Sequence, residues 1–254
     1  MFAQPFTWAY YDACLAAARS AEYRFIGFSD LRDGSREPGE PFVLLRHDID
    51  YDPEFAGLLA SREEQQSVRA TYFFQADSRF YDLTSPVVVA IVRRILHQGH
   101  WLGVHFDANG IEDDATVIQR VQSIAEELEA RFQRSVDAVS FHMPTYRSIG
   151  HLRLGGGRVN TYGPVFFGPI EYASDSNQDF RGKDILSMLR AGTVRRLQLL
   201  IHPFWWREEY SPLITKMEAL GSRLGVSLGQ LLTAEQWAAI GRPRVMDLPR
   251  RTCP

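Results

Sequence analysis

Short apolar runs alternating with helical patterns constrain this chain more than any other feature. "FVLL" (residues 42–45), "ATYFF" (70–74), "WLGVHF" (101–106), "DAVSFH" (137–142), "IEYASD" (170–175) and "RLQLLIHP" (196–203) have the length and composition of strands. Between them lie helical segments. Residues 53–66 carry Phe55, Leu58 and Leu59 at helical spacing behind Pro53. Residues 85–99 read as a helix capped by Ser85 and stopped at Gly99. Residues 113–134 place Val117, Ile118, Val121, Ile124 and Leu128 on one side. A further helix falls near residues 211–224. Strands that alternate with helices pair in parallel, and the helices cover the sheet. No linker interrupts the pattern, so the expectation is one α/β domain of barrel type over residues 1–254. It carries an N-terminal helical extension (1–40) and a C-terminal helical tail (225–254).

The ends of the apolar runs are polar, and in parallel β/α folds the carboxyl ends of strands are where sites collect. The first run leads into Arg46, His47, Asp48 and Asp50. The third ends in His105 and Asp107, the fourth in His142, the fifth in Asp175, and the last in His202 before Pro203, Phe204, Trp205 and Trp206. Four of the seven histidines therefore stand at strand ends, which is more than satisfied core histidines would explain. Asp48 and Asp50 share one face of their strand because Ile49 points away, while His47 faces the opposite way and suits a structural role. His97, His100 and His151 are not expected to do chemistry. Imidazole and carboxylate donors suit a divalent ion, and the chemistry such a set supports is metal-assisted hydrolysis, with one carboxylate as general base and a histidine as general acid. Asp48 and Asp50 divide the base and ligand roles, His105 is a ligand, and His202 is the acid.

Composition narrows the alternatives. The chain has 254 residues, 45% hydrophobic and 23% charged, with a net charge of −3. That balance does not suit a general nucleic-acid binder. Its two cysteines, Cys14 and Cys253, have no metal-binding or redox spacing. With no basic start followed by an apolar stretch and no long apolar span, the expected localisation is cytoplasmic, without a membrane span. The glycine-rich stretch within residues 143–169 lacks the strand–turn–helix context of a phosphate loop and reads as a rim.

In their order, these segments resemble the polysaccharide deacetylase superfamily (NodB-type, carbohydrate esterase family 4). "VLLRHDID" is similar to its first motif, an apolar strand ending in paired aspartates, and "GHWLGVHFDAN" to its His-x-x-x-His stretch. "SFHMPT" lies where the family has Arg-x-Pro-Tyr, "YASDSNQDF" resembles its Asp-containing fourth element, and "LLIHP" its terminal Leu-x-His. The matches run from about residue 42 to 206. The resemblance implies a distorted NodB-like β/α barrel of about seven parallel strands with outer helices. It implies Asp48 as general base, Asp50 and His105 as ligands of a divalent metal ion, zinc (Zn2+) by type, and His202 as general acid. Backbone near Pro144 and Thr145 would stabilise the oxyanion. Apart from the resemblance, the positions of Asp175 and Trp205 make them candidates to meet the substrate, and the aromatics after the last strand suit packing equally. The implied activity is N-deacylation of an amino sugar or glycan precursor, a small-molecule or carbohydrate substrate. Self-association is left open.

This chain departs from the family at three places, one of them His142 in the position of the family arginine. The aspartates are separated by Ile49, and the second ligand histidine is replaced by Asn109, four residues after His105. The third ligand is then His142, which also stands in place of the family arginine that orients the base, or else Asp107 or Asn109. Asp107 equally suits a loop cap and Asp175 a turn. Two competing readings follow: a sugar-binding protein on a degenerate site, motivated by Asn109, and an Asp-x-Asp phosphohydrolase with Asp48 as nucleophile.

Overall fold

The structure is a computed structural model that describes residues 4–32, 39–143 and 148–231. In chain order it contains α1 (Trp8–Ser20), β1 (Arg24–Phe25), β2 (Phe42–Ile49), α2 (Pro53–Gln65), β3 (Thr71–Gln75) and α3 (Pro86–His97). Then come β4 (Trp101–Phe106), α4 (Asp114–Phe132), β5 (Val136–Phe141), β6 (Val159–Asn160) and β7 (Glu171–Ser174). The last elements are α5 (Ile185–Ala191), β8 (Arg196–Ile201), α6 (Leu213–Leu224) and α7 (Leu228–Leu231). The helices start where the local chemistry permits. Asp52, Ser85 and Asp113 each accept a hydrogen bond from a first-turn amide of α2, α3 and α4, and proline occupies the first turn of α2 and α3.

All strand pairs are parallel, in the order β6-β5-β4-β3-β2-β8-β7, and β1 also pairs with β2. The sheet curls into a half-barrel with helices outside, the distorted β/α barrel expected. The two-residue alternation of β2 sorts its side chains between two cores. Val43, Leu45 and Ile49 join the large cluster under the helices. Phe42 and Leu44 face the barrel interior with Phe28, Phe73, Phe166 and Ile170. Gly103 of β4 is required here, because a Cβ would stand 2.3 Å from the Phe73 ring. Above this apolar floor the inward positions of β2 become Arg46 and Asp48, both buried.

The N-terminal segment does more than extend the domain. β1 pairs with β2 at Arg24↔Phe42, where β2 has no β3 partner because that pairing begins only at Arg46↔Thr71. Trp8 and Tyr11 of α1 belong to the large core. Within the C-terminal tail, residues from 232 onward, including Cys253, lie outside the described residues.

Leu58, expected on the apolar face of α2, is instead 46% exposed. The buried face of α2 is Ala56, Leu59, Ala60 and Glu63. A carboxylate inside that stripe explains the rotation. Glu63 is fully buried and meets His47 Nε2 at 2.7 Å. It also accepts hydrogen bonds from the hydroxyls of Tyr72, at 2.7 Å, and of Tyr11. His47 uses its other ring nitrogen to hold the Ile201 carbonyl at 3.3 Å, so its role is structural, as its strand face implies. His100 is buried too: its Nδ1 accepts from the Ala70 amide, and Nε2 donates to the Ala60 carbonyl.

Burial alone would raise the Glu63 pKa, but His47, His100 and the hydrogen bonds outweigh it and hold the group below its ordinary value of 4.5. A folded value below the unfolded one contributes stability that is complete above about pH 4.5 and is lost as pH falls through the folded value. Glu63→Gln is therefore expected to lower unfolding free energy at pH 7 by about 3–5 kcal/mol, the range for breaking a buried pair. The loss should shrink toward pH 3 in urea titrations.

Candidate active site

The carboxyl ends of β2, β4, β5 and β8 bring one cluster together. Asp48 is 2% exposed and points inward from β2. Arg46, two residues earlier on the same face, grips it with two parallel bonds, Nε to Oδ1 at 2.9 Å and Nη2 to Oδ2 at 2.7 Å. Ser140 of β5 donates to Oδ1 at 3.1 Å. The guanidinium lies 4.8 Å from the Tyr162 ring centroid, and it also bonds Thr161 Oγ1 and the Tyr162 hydroxyl. Burial disfavours the Asp48 charge, but Arg46 and then His105 outweigh it and lower its pKa. Oδ2 accepts only one of these hydrogen bonds, so a lone pair remains for a proton.

Asp50, His105 and His142 form the second part. His105 Nε2 stands 3.0 Å from Asp50 Oδ1 and 3.1 Å from His142 Nδ1, and His142 Nδ1 stands 3.4 Å from Asp50 Oδ1. His105 Nδ1 is taken by Ser140 Oγ at 2.6 Å, which aims Nε2 at the cluster. His142 reaches it because its amide bonds the Phe106 carbonyl at 2.8 Å, continuing the β4–β5 pairing one step past β5. Burial opposes the Asp50 charge, but His142, His105 and His202 hold its carboxyl well below the usual range.

This set fits a divalent cation. Its donor atoms lie within 4.8 Å of one another. Donors at about 2.0–2.1 Å from a tetrahedral ion stand about 3.3–3.4 Å apart, close to the three separations above. Asp50 Oδ1 is buried and lacks an aligned hydrogen-bond partner despite its short distance to His105. A converging carboxylate and two ring nitrogens would satisfy that atom on an ion.

The third part is His202, whose Nδ1 donates to Asp175 Oδ1 at 2.6 Å. The His202 amide bonds the same carboxylate, and Trp206 Nε1 donates to Oδ2 at 2.8 Å. His202 Nε2 is thereby turned toward Asp50, with Oδ2 at 3.7 Å. Burial lowers the pKa of this imidazole, but Asp175 and then Asp50 outweigh it and push it up to about 9.

Several expectations are corrected here. Asp175, expected at the substrate, is instead fully buried, with both oxygens occupied by His202 and Trp206. Trp205 is 3% exposed, packed against Tyr51 and Phe204, so it offers no open stacking face. Asn109 is exposed and Asp107 accepts the Asn109 amide at 2.9 Å in a turn; neither belongs to the donor set. Asp48 is gripped by Arg46, and His142 lies with Asp50 and His105 instead. Pro144 and Thr145 lie outside the described residues. Sequence reasoning missed Arg46, Ser140 and Trp206. Arg46 was visible by the same two-residue rule that pairs Asp48 with Asp50, and Ser140 by its position two residues before His142. Trp206 carried no signal of its kind.

No protein-family model matches the chain, and no curated protein matches it. Among solved structures it is similar to a CE4 family pseudoenzyme from Bacillus anthracis, at 12% identity and a TM-score of 0.47 over 74% of this chain and 62% of that one. The chain thus spans less than two thirds of that protein's length. It is also similar to a family 4 carbohydrate esterase from Streptomyces lividans (14% identity, TM-score 0.47, 73% of this chain and 90% of that one). A third is the chitin deacetylase from Colletotrichum lindemuthianum (17% identity, TM-score 0.46, 78% and 92%). Fold and site together define a NodB-like half-barrel with a buried cluster of carboxylates and histidines at its mouth, three of which could hold a cation. Two of these three structures are described as carbohydrate esterase family 4 proteins, the family that the motif order resembles. Among the described residues, no helix is long and apolar enough to cross a membrane.

Arg46 has no substitute within the interior of β2. Arg46→Met leaves Asp48 buried and unpaired, and it is expected to lower unfolding free energy by about 3–5 kcal/mol. Arg46→Lys keeps the charge but loses the two-point grip and should fall between Arg46→Met and wild type. Chemical denaturation of the three proteins at pH 7 checks the order.

Proposed function

We propose that this chain is a divalent-metal-dependent hydrolase of amide C–N bonds that removes the acyl group from an N-acylated amino sugar or glycan precursor. The observation that carries it is the meeting of three parts in one barrel mouth: a clamped carboxylate (Asp48), a three-donor cation set (Asp50, His105, His142) and a carboxylate-backed histidine (His202). Two imidazoles and a carboxylate suit zinc, and a divalent ion held there would polarise the acyl carbonyl and acidify a water.

The residues of the chain divide the proton work. Asp48, kept ionised by Arg46, accepts a proton from the attacking water at Oδ2. His202, protonated and held by Asp175, delivers a proton from Nε2 to the departing nitrogen. The C–N bond then breaks, giving a free amine and a carboxylic acid. Backbone groups near Pro144 and Thr145 are assigned to the oxyanion by resemblance to the family only. A phosphohydrolase with Asp48 as nucleophile would leave the clustered His105, His142 and His202 without a part.

The test is hydrolysis of N-acetyl and N-formyl amino sugars by protein stripped with a chelator and reloaded with single divalent ions. Stripped protein is expected to be inactive and zinc to restore it. Asp48→Asn and His202→Gln should each lower kcat by on the order of 10²–10⁴-fold. Sugar binding without turnover by the loaded wild type would overturn this function in favour of a non-catalytic binder. In a separate calorimetric titration, His142→Ala should weaken zinc binding by at least about a hundredfold, whereas Asn109→Ala should leave it unchanged.

A further inference from the structure

Lys216, on the inner side of α6, is 3% exposed and pairs with no carboxylate among the described residues. Its ammonium donates to the Trp205 carbonyl and, at 3.0 Å, to Gln178 Oε1. A buried cation held only by neutral oxygens is costly, and burial, reinforced by Arg207 and opposed by Asp175, draws its pKa down to about 7. The two segments it touches explain why it sits there. Trp205 closes the turn that begins at His202, with its amide bonded to the His202 carbonyl at 3.0 Å. Gln178 closes the turn that begins at Asp175, with its amide bonded to the Asp175 carbonyl at 2.9 Å. Gln178 also anchors that turn to Ser211 through Nε2 at 2.9 Å. The turn needs such an anchor, because Asn177 and Gln178 both hold positive φ, at 61° and 57°.

We propose that Lys216, with Gln178, is a positioning residue for the proton-donating pair: it ties the turn after Asp175 to the turn after His202 and so sets the hydrogen bond between them. It rests on the hydrolase function above, because the bond it sets is the one that aims His202 Nε2 at the leaving nitrogen. A prop for the fold alone would behave differently. Replacing a buried unpaired ammonium with an apolar chain of similar length need not destabilise the protein, whereas a positioning role makes turnover suffer while folding does not.

The experiment uses the full chain loaded with zinc: wild type, Lys216→Met, Gln178→Met and the double variant. Each single change is expected to lower kcat by about tenfold to a hundredfold, the scale of a displaced catalytic group. KM should stay within about twofold. The double variant should be no slower than the slower single, as expected of residues that act as one unit. The proton on His202 Nδ1, followed by NMR in metal-loaded protein, should be slow to exchange in wild type and fast in each variant. Unchanged kcat in a folded variant, additive losses, or an unchanged Nδ1 proton overturns the proposal. If Lys216→Met does not fold, Gln178→Met carries the same test, since it leaves the ammonium and its bond to Trp205 in place. If wild type cleaves no amide, the hydrolase function fails by itself, and the NMR comparison still decides whether Lys216 sets the Asp175–His202 bond.

Discussion

Everything at the barrel mouth depends on the Arg46–Asp48 ion pair buried inside β2. Both side chains are buried, so each would be costly without the other. Paired, they let a strand that is wholly buried on both faces carry charge at its carboxyl end. The same two-residue period that places them together places Asp50 one step higher, at the point where the interior opens. On the other face, His47 and Glu63 repeat the solution: a buried carboxylate with histidine and tyrosine partners, fixing α2 and Ile201 against the back of the strand. β2 is therefore clamped on both sides at adjacent residues. The position of Asp48 relative to His202 follows from that rigidity.

The cluster is built in three tiers of support. Arg46 and Ser140 hold Asp48; Ser140 also turns His105; Asp175 and Trp206 turn His202. Ser140 is shared between Asp48 and His105, so the two parts of the cluster are mechanically one object. Sites gain from such supporting contacts because a catalytic group displaced by an ångström loses much of its effect. The apolar interior beneath, with Phe73 pressed on Gly103, gives the polar layer a floor without room for slack.

Much of this was legible in the chain itself. The longer strands stand where the apolar runs stand, and helix starts fall at Asp52, Ser85 and Asp113, where local hydrogen bonding dictates them. The shared face of Asp48 and Asp50 follows from strand geometry alone, and Arg46 followed from it equally. The glycine-rich interval hid β6, two residues long, because so short a strand has no period to detect. Leu58 was misplaced because Glu63 occupies the buried stripe of α2, and a carboxylate inside a core is not visible to a pattern that sorts residues by polarity.

Local order along the chain fixes which side chains share a face and where each strand runs out of apolar residues, since both depend on neighbours one to four positions away. Only the tertiary structure decided which strand ends meet. His142 stands beside His105 because β5 pairs with β4 in the register His105↔Ser140, and Asp175 lies under His202 because β7 pairs with β8 in the register Ser174↔Leu200. Those registers come from packing between segments tens of residues apart, and no local period encodes them. That is why the choice of His142 over Asp107 and Asn109 beside His105, and the partner of Asp175, were settled only by the fold.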